Sequence, residues 1–147
     1  MRIVILNGPN LNLLGRREPA IYGTRSMEQV LLDIQRAYPD VYLEYHQSNH
    51  EGDLIDWVQE FGAKAISETD GIVLNAGGYT HTSVALRDAL VCSTIPVVEV
   101  HISDITQREE FRRVSLLTDV CAYSVMGQGT DGYRQAVEWI LGNCTAV

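Results

Sequence analysis

Short apolar runs alternate along the chain with polar loops and with segments whose apolar positions recur every three or four residues. The runs at 2–6, 71–75 and 96–101 are almost continuously apolar, as strands covered on both faces are. Residues 41–47 alternate more, with polar Glu44 and His46, and suit a strand at a sheet edge. Residues 120–125 form a fifth candidate strand. Between the strands, Ser26-x-x-Gln29 and Ser48-x-x-Glu51 both have the spacing of helix capping boxes. The second introduces Leu54, Ile55, Val58 and Phe61 on one helical face. Further helices are predicted over 82–91, 106–118 and 131–141.

Strand-then-helix units in this succession predict an α/β domain with a parallel sheet and right-handed crossovers, in the strand order 2-1-3-4-5. That order places a ligand beyond the carboxyl ends of the strands, where the first and third diverge. The segments there are Asn7-Gly8-Pro9-Asn10, Asn75-Ala76-Gly77-Gly78 and His101-Ile102-Ser103. The 7–25 connection is long for a strand-to-helix link and carries Arg16, Arg17 and Tyr22, the make-up of a functional lid.

Composition narrows the partners. The chain has 147 residues, 46% of them hydrophobic, with no repeat or linker, and residues 1–147 read as a single catalytic domain. A formal charge of −8 argues against nucleic-acid or anionic-membrane partners, which need clustered positive charge. Ten of the eleven basic residues are arginines, and Lys64 is the sole lysine. Cys92, Cys121 and Cys144 form no CxxC pair, so neither a disulfide framework nor a zinc knuckle is expected. Without a signal-peptide pattern after Met1 or an 18-residue apolar run, a soluble cytoplasmic protein is expected.

Several familiar chemistries fit poorly. Gly127-x-Gly129-x-x-Gly132 has dinucleotide-fingerprint spacing, but too little chain follows Gly132 for the next strand, which leaves an ordinary glycine-rich loop. There is no GxxxxGK phosphate loop, and the strand-end Asn7 and Asn75 stand where a phospho-receiver carries carboxylates. His46 and His50 straddle a strand end and a helix start and have no Cys, Asp or Glu at matching spacing, so no metal or other cofactor is expected. His101 ends a strand in the expected site, two residues after Glu99. Alternate residues of a strand share a side, so Glu99 can orient the imidazole and tune its proton affinity. Tyr22 is either a packing residue of the lid or a base; a phenol is a poor base unless a cation such as Arg17 favours the phenolate.

Taken together, Asn7-Gly-Pro-Asn-Leu-Asn-Leu-Leu-Gly15, Arg17-Glu-Pro-x-Ile-Tyr-Gly23, Gln47-Ser-Asn-His-Glu-Gly52, Tyr79-Thr-His-Thr-Ser83, Glu99-Val-His-Ile-Ser103, Arg108-Glu-Glu-Phe-Arg112 and the Gly127-to-Tyr133 loop closely resemble the type II 3-dehydroquinate dehydratases of the shikimate pathway. The resemblance implies a flavodoxin-like fold with helices on both faces of the sheet, and a homododecamer built as a tetramer of trimers. It implies reversible loss of water from 3-dehydroquinate, a small anionic substrate, through an enolate. On that footing Tyr22 is the base, with Arg17 favouring its phenolate, and a water near Asn10 holds the enolate. His101, backed by Glu99, protonates the leaving hydroxyl. Asn75, His81 and Arg112 bind substrate, the backbone amides of Ile102 and Ser103 take its carboxylate, and Asp88 reaches a neighbouring subunit's site.

The chain departs from the family pattern at Ala76-Gly77-Gly78, where Pro-Gly-Ala is usual, and at Asp104, where Asn is usual. The rival expectation is a flavodoxin-like cofactor-binding or scaffold module without dehydratase activity.

Overall fold

Five parallel strands form one sheet in the order β2-β1-β3-β4-β5, as expected. The computed structural model describes residues 1–144; the last three residues of the domain expected over 1–147 lie outside the described residues. Along the chain the elements are β1 (Arg2–Asn7), α1 (Pro19–Tyr22), α2 (Met27–Ala37), β2 (Tyr42–Gln47), α3 (Glu51–Phe61), α4 (Lys64–Ser67), β3 (Gly71–Asn75), α5 (Val84–Val91), β4 (Val97–His101), β5 (Tyr123–Met126) and α6 (Asp131–Asn143).

Strand parity divides the core. Ile3, Ile5, Val73, Val98 and Val100 point to the face covered by α2 and α6, where Val30, Ile34, Ala136, Val137 and Ile140 are buried. Val4, Leu6, Ile72, Leu74 and Val97 point to the other face, against Leu54, Val58 and Phe61 of α3 and Leu86 and Leu90 of α5. Since both faces are covered, the central strands need apolar residues at every position, which is why they read as unbroken runs. β2 lies at the edge and stays half-exposed, in keeping with its alternation. Among the described residues no helix is long and apolar enough to cross a membrane.

Helix α2 starts on the expected capping box: Ser26 Oγ accepts from Gln29 N–H, and Gln29 Oε1 accepts from Ser26 N–H. The Ser48 box does not form. Ser48 Oγ accepts from the His50 N–H and donates to Asp53 Oδ2 at 2.6 Å, a local turn that spends the hydroxyl before the helix, so α3 starts after His50.

Residues 106–118 do not form the expected α-helix. They run as short 3-10 turns at Ile105–Gln107, Glu110–Arg112 and Thr118–Val120. Within the segment Phe111 and Val114 are about two-thirds exposed, so no continuous buried face rewards a helix there. The segment instead forms a strap across the carboxyl ends of the strands. The last strand accordingly begins at Tyr123 rather than at residue 120.

Candidate active site

β1 and β3 end in register, with Asn7 opposite Asn75, and Gly8 donates its N–H to the Asn75 carbonyl at 2.7 Å. The two chains part so closely here that a Cβ on Gly8 would lie 2.4 Å from the Ala76 carbonyl oxygen. Only glycine fits that crossing. Gly77 turns back against Pro9 at φ +59°, a conformation a side chain rarely adopts. Asn10 is left-handed too, at φ 69°, and its N–H is tied to Asn49 Oδ1 at 3.0 Å. These turns open a cavity of about 210 Å³ at the switch point between β1 and β3.

Asn10, Arg17, Tyr22, Asn75, His81, His101, Ile102, Ser103 and Arg112 all line this cavity. The 7–25 connection thus folds over the strand ends and brings its Arg and Tyr into the site. Arg108 lines it as well, although sequence reasoning did not single it out. Arg108 Nη1 donates to Tyr22 Oη at 3.2 Å and to Ser103 Oγ at 3.1 Å. Arg17 is the expected neighbour of Tyr22 and stacks its guanidinium 4.7 Å from the ring centroid. The contact at the hydroxyl itself belongs to Arg108. Two guanidinium groups thus flank the phenol, Arg108 at its oxygen and Arg17 over its ring. His81 donates from Nδ1 to the Val114 carbonyl at 2.8 Å, which leaves its Nε2 for a ligand.

Glu99 stands behind the cavity wall, nearly fully buried. Its carboxylate accepts hydroxyl hydrogen bonds from Thr80 at 3.1 Å, Thr118 at 2.6 Å, Ser124 at 2.7 Å and Ser115. His101 Nε2 lies 2.8 Å from Glu99 Oε2, off the line of a well-directed hydrogen bond. Burial by itself would raise the Glu99 pKa. His101 and the hydroxyl donors outweigh it and hold the group down at about 2, so Glu99 is a stable anion beside the imidazole. Ser115 and Thr118 also tie the strap to the strand end, so the carboxylate that faces His101 anchors the segment carrying Arg108 and Arg112.

Besides Glu99 behind the wall, Asp88 is the only expected residue that does not line the cavity. It is exposed on α5, beside the exposed Val84 and Val91. Among the described residues no three His, Cys, Asp or Glu side chains are grouped to hold a metal ion. His46 pairs with Glu44 and packs on Trp57 and Phe61. The Gly127–Gly132 segment is a turn running into the start of α6, and its N–H groups at Gly127 and Gly129 bond the carbonyls of Ser103 and Ile102, bracing that wall of the cavity.

Asp104 acts as a cap. Its Oδ1 accepts from the Thr106 N–H at 3.0 Å and from the Thr106 hydroxyl at 2.6 Å. Asn offers the same acceptor, so Asp104→Asn changes KM by less than about threefold, the size of a cap exchange. A fall in KM of tenfold or more in steady-state assays would instead mean that the carboxylate repels an anionic substrate.

Residues 1–141 match the family model described as dehydroquinase class II. The chain is 48% identical to the 3-dehydroquinate dehydratase of Halothermothrix orenii, over 95% of this chain and 93% of that protein. It is 49% identical to the 3-dehydroquinate dehydratase of an Exiguobacterium species, over 96% of this chain and 94% of that protein. Its structure is similar to the crystal structure of the type II dehydroquinase from Butyrivibrio crossotus. The TM-score is 0.89 at 44% identity, covering 96% of this chain and 97% of that one.

Proposed function

The chain belongs to the dehydroquinase class II family, and from that premise we propose how it removes water from 3-dehydroquinate to give 3-dehydroshikimate. The observation that carries this reading is a single cavity holding Tyr22 between two guanidinium groups together with His101 braced by a buried anion. An elimination beside a ketone needs a base, a stabiliser for the enolate and an acid for the leaving hydroxyl.

Tyr22, as a phenolate between Arg108 and Arg17, takes the proton from the carbon next to the ketone. The electron pair moves onto the ketone oxygen, and the enolate is held by a water beside Asn10. His101, as an imidazolium beside the buried Glu99, then gives its proton to the leaving hydroxyl. The enolate collapses to the conjugated enone and one water departs. A net proton transfer from Tyr22 to His101 through solvent resets both groups. Asn75, His81 and Arg112 hold the substrate, with its carboxylate on the Ile102 and Ser103 amides. The arginines offset that charge in a protein that is acidic overall.

Asp88 and the exposed Val84 and Val91 beside it suit a surface that a second subunit covers, which supports the homododecamer, a tetramer of trimers, with Asp88 reaching a neighbour's site. A cytoplasmic location fits a metabolic enzyme with three free cysteines and no CxxC pair.

The direct test adds 3-dehydroquinate and follows the rise of enone absorbance. A flat trace sinks the dehydratase function, and a yellow or nucleotide-retaining preparation would favour the cofactor-binding alternative. The proposed route is also free of any covalent imine to lysine. Lys64 is the only lysine; it lies on α4, which precedes β3 and so sits at the sheet end opposite the cavity, and it pairs with Asp70. Lys64→Ala is expected to keep kcat/KM within about twofold, as an exposed substitution should. Borohydride added with substrate leaves activity intact on this route, whereas mass-spectrometric trapping of substrate on Lys64 would overturn it.

A further inference from the structure

The glycine-rich segment ends at Tyr133, and no step above uses that residue. Tyr133 is wholly buried at the start of α6, and its hydroxyl lies between the ends of β1 and β3. Gly132 permits this placement, because a Cβ there would press on Val100 at 3.2 Å.

The hydrogen bonds around Tyr133 have a forced direction. The Gly77 N–H can only donate, and it donates to Asn75 Oδ1 at 3.1 Å. The Asn75 amide is thereby oriented, so its Nδ2 donates to Tyr133 Oη at 3.0 Å. The Tyr133 hydroxyl then passes its own hydrogen to Asn7 Oδ1 at 2.8 Å, and Asn7 Nδ2 faces Tyr45 Oη at 3.3 Å. Burial pushes the Tyr133 phenol well above its ordinary range, so it remains a neutral donor. Asn7 and Asn75 are both buried, and Asn75 forms part of the cavity wall. With one amide hydrogen on Tyr133 and one lone pair on Gly77, Asn75 keeps one donor and one acceptor for a ligand.

We propose that Tyr133 is a positioning residue for substrate binding: it pins the Nδ2 end of the Asn75 amide whose oxygen the Gly77 N–H holds, so that the cavity presents a fixed donor and a fixed acceptor to the substrate. This rests on Asn75 being a substrate contact, as proposed above. Tyr133→Phe keeps the ring but removes both the acceptor for Asn75 and the donor for Asn7. The amide is then held only at its oxygen, by the Gly77 N–H, its Nδ2 loses its buried acceptor, and bound substrate meets a less firmly placed partner.

The test measures KM and kcat for four variants against 3-dehydroquinate. Asn75→Ala and Tyr133→Phe are both expected to raise KM by at least about fivefold, the effect of one mispaired hydrogen bond, with kcat falling by less. Tyr45→Phe removes the far end of the same chain of hydrogen bonds and is expected to leave KM unchanged. A purely structural loss lowers the folded fraction, hence kcat, without moving KM. If Tyr133→Phe does not fold, Asn7→Ala replaces it: the Tyr133 hydroxyl loses its acceptor, and KM is expected to rise by at least about twofold. An unchanged KM in Tyr133→Phe, or in Asn7→Ala where it stands in, overturns the proposal if Asn75→Ala raises KM. So does an equal rise in Tyr45→Phe. An unchanged KM in Asn75→Ala removes the substrate contact itself, and the proposal with it.

Discussion

Tyr22→Phe lowers kcat by about 10²–10⁴, the range a positioned general base supplies, while substrate still binds. The variant removes one oxygen and keeps the ring. Arg17 stacks on that ring at 4.7 Å and Arg108 lies 5.7 Å from its centroid, so both cation–π contacts survive and the lid stays folded over the strand ends. What disappears is the acceptor of Arg108 Nη1 and the group that takes the proton. The expected signature is therefore a large drop in kcat with a calorimetric substrate affinity within about threefold of the parent. Arg108→Ala loses the cation that donates to the phenol oxygen, so its activity falls. Arg17→Ala loses less, since its guanidinium stands over the ring rather than at the oxygen. A Tyr22→Phe enzyme with kcat within tenfold of the parent would remove Tyr22 from the chemistry.

The difference between the two arginines was not legible in the sequence, and the reason is physical. In a helix or strand, spacing tells which side chains share a face. The strap from Ile102 to Val120 has neither period, because its turns answer to Asp104 and to hydroxyls drawn onto Glu99. Arg108, Arg112 and Arg113 therefore look alike in one dimension, and only the folded chain turns the first two into the cavity. The same loss of period explains the false helix at 106–118.

By contrast, the sheet was readable because covering both faces demands continuous apolar runs, and the strand order then located the cavity before any residue was assigned to it. Glu99 and His101 were readable for a third reason. They lie two apart on a strand, where spacing does report a shared side, and they stand 2.8 Å apart. Tyr133 had no such signal: its partners come from the ends of two other strands, and nothing local in the glycine-rich segment foretells them.

His101→Ala separates the two proton transfers. The variant loses the acid for the leaving hydroxyl but keeps Tyr22, Arg108 and Arg17, so the enolate still forms and returns. In deuterated solvent the substrate's α-proton is then expected to exchange, while formation of the enone falls by about 10²–10⁴. Tyr22→Phe shows the opposite half of the pattern, with neither exchange nor product. Folding is expected to withstand the loss of His101. The charge of Glu99 remains compensated by four hydroxyl donors, so no bare buried anion is left behind. That compensation also fixes the pH behaviour. A carboxyl held at about 2 in the folded protein stays ionised across the working range. The stability it contributes is full above its ordinary unfolded value and is lost only as the pH falls through the folded one. A drop in activity of the parent enzyme between neutral and mildly acidic pH thus cannot come from Glu99. Exchange that persists in Tyr22→Phe and vanishes in His101→Ala, read by the proton signal of recovered substrate, would reverse the assignment of base and acid.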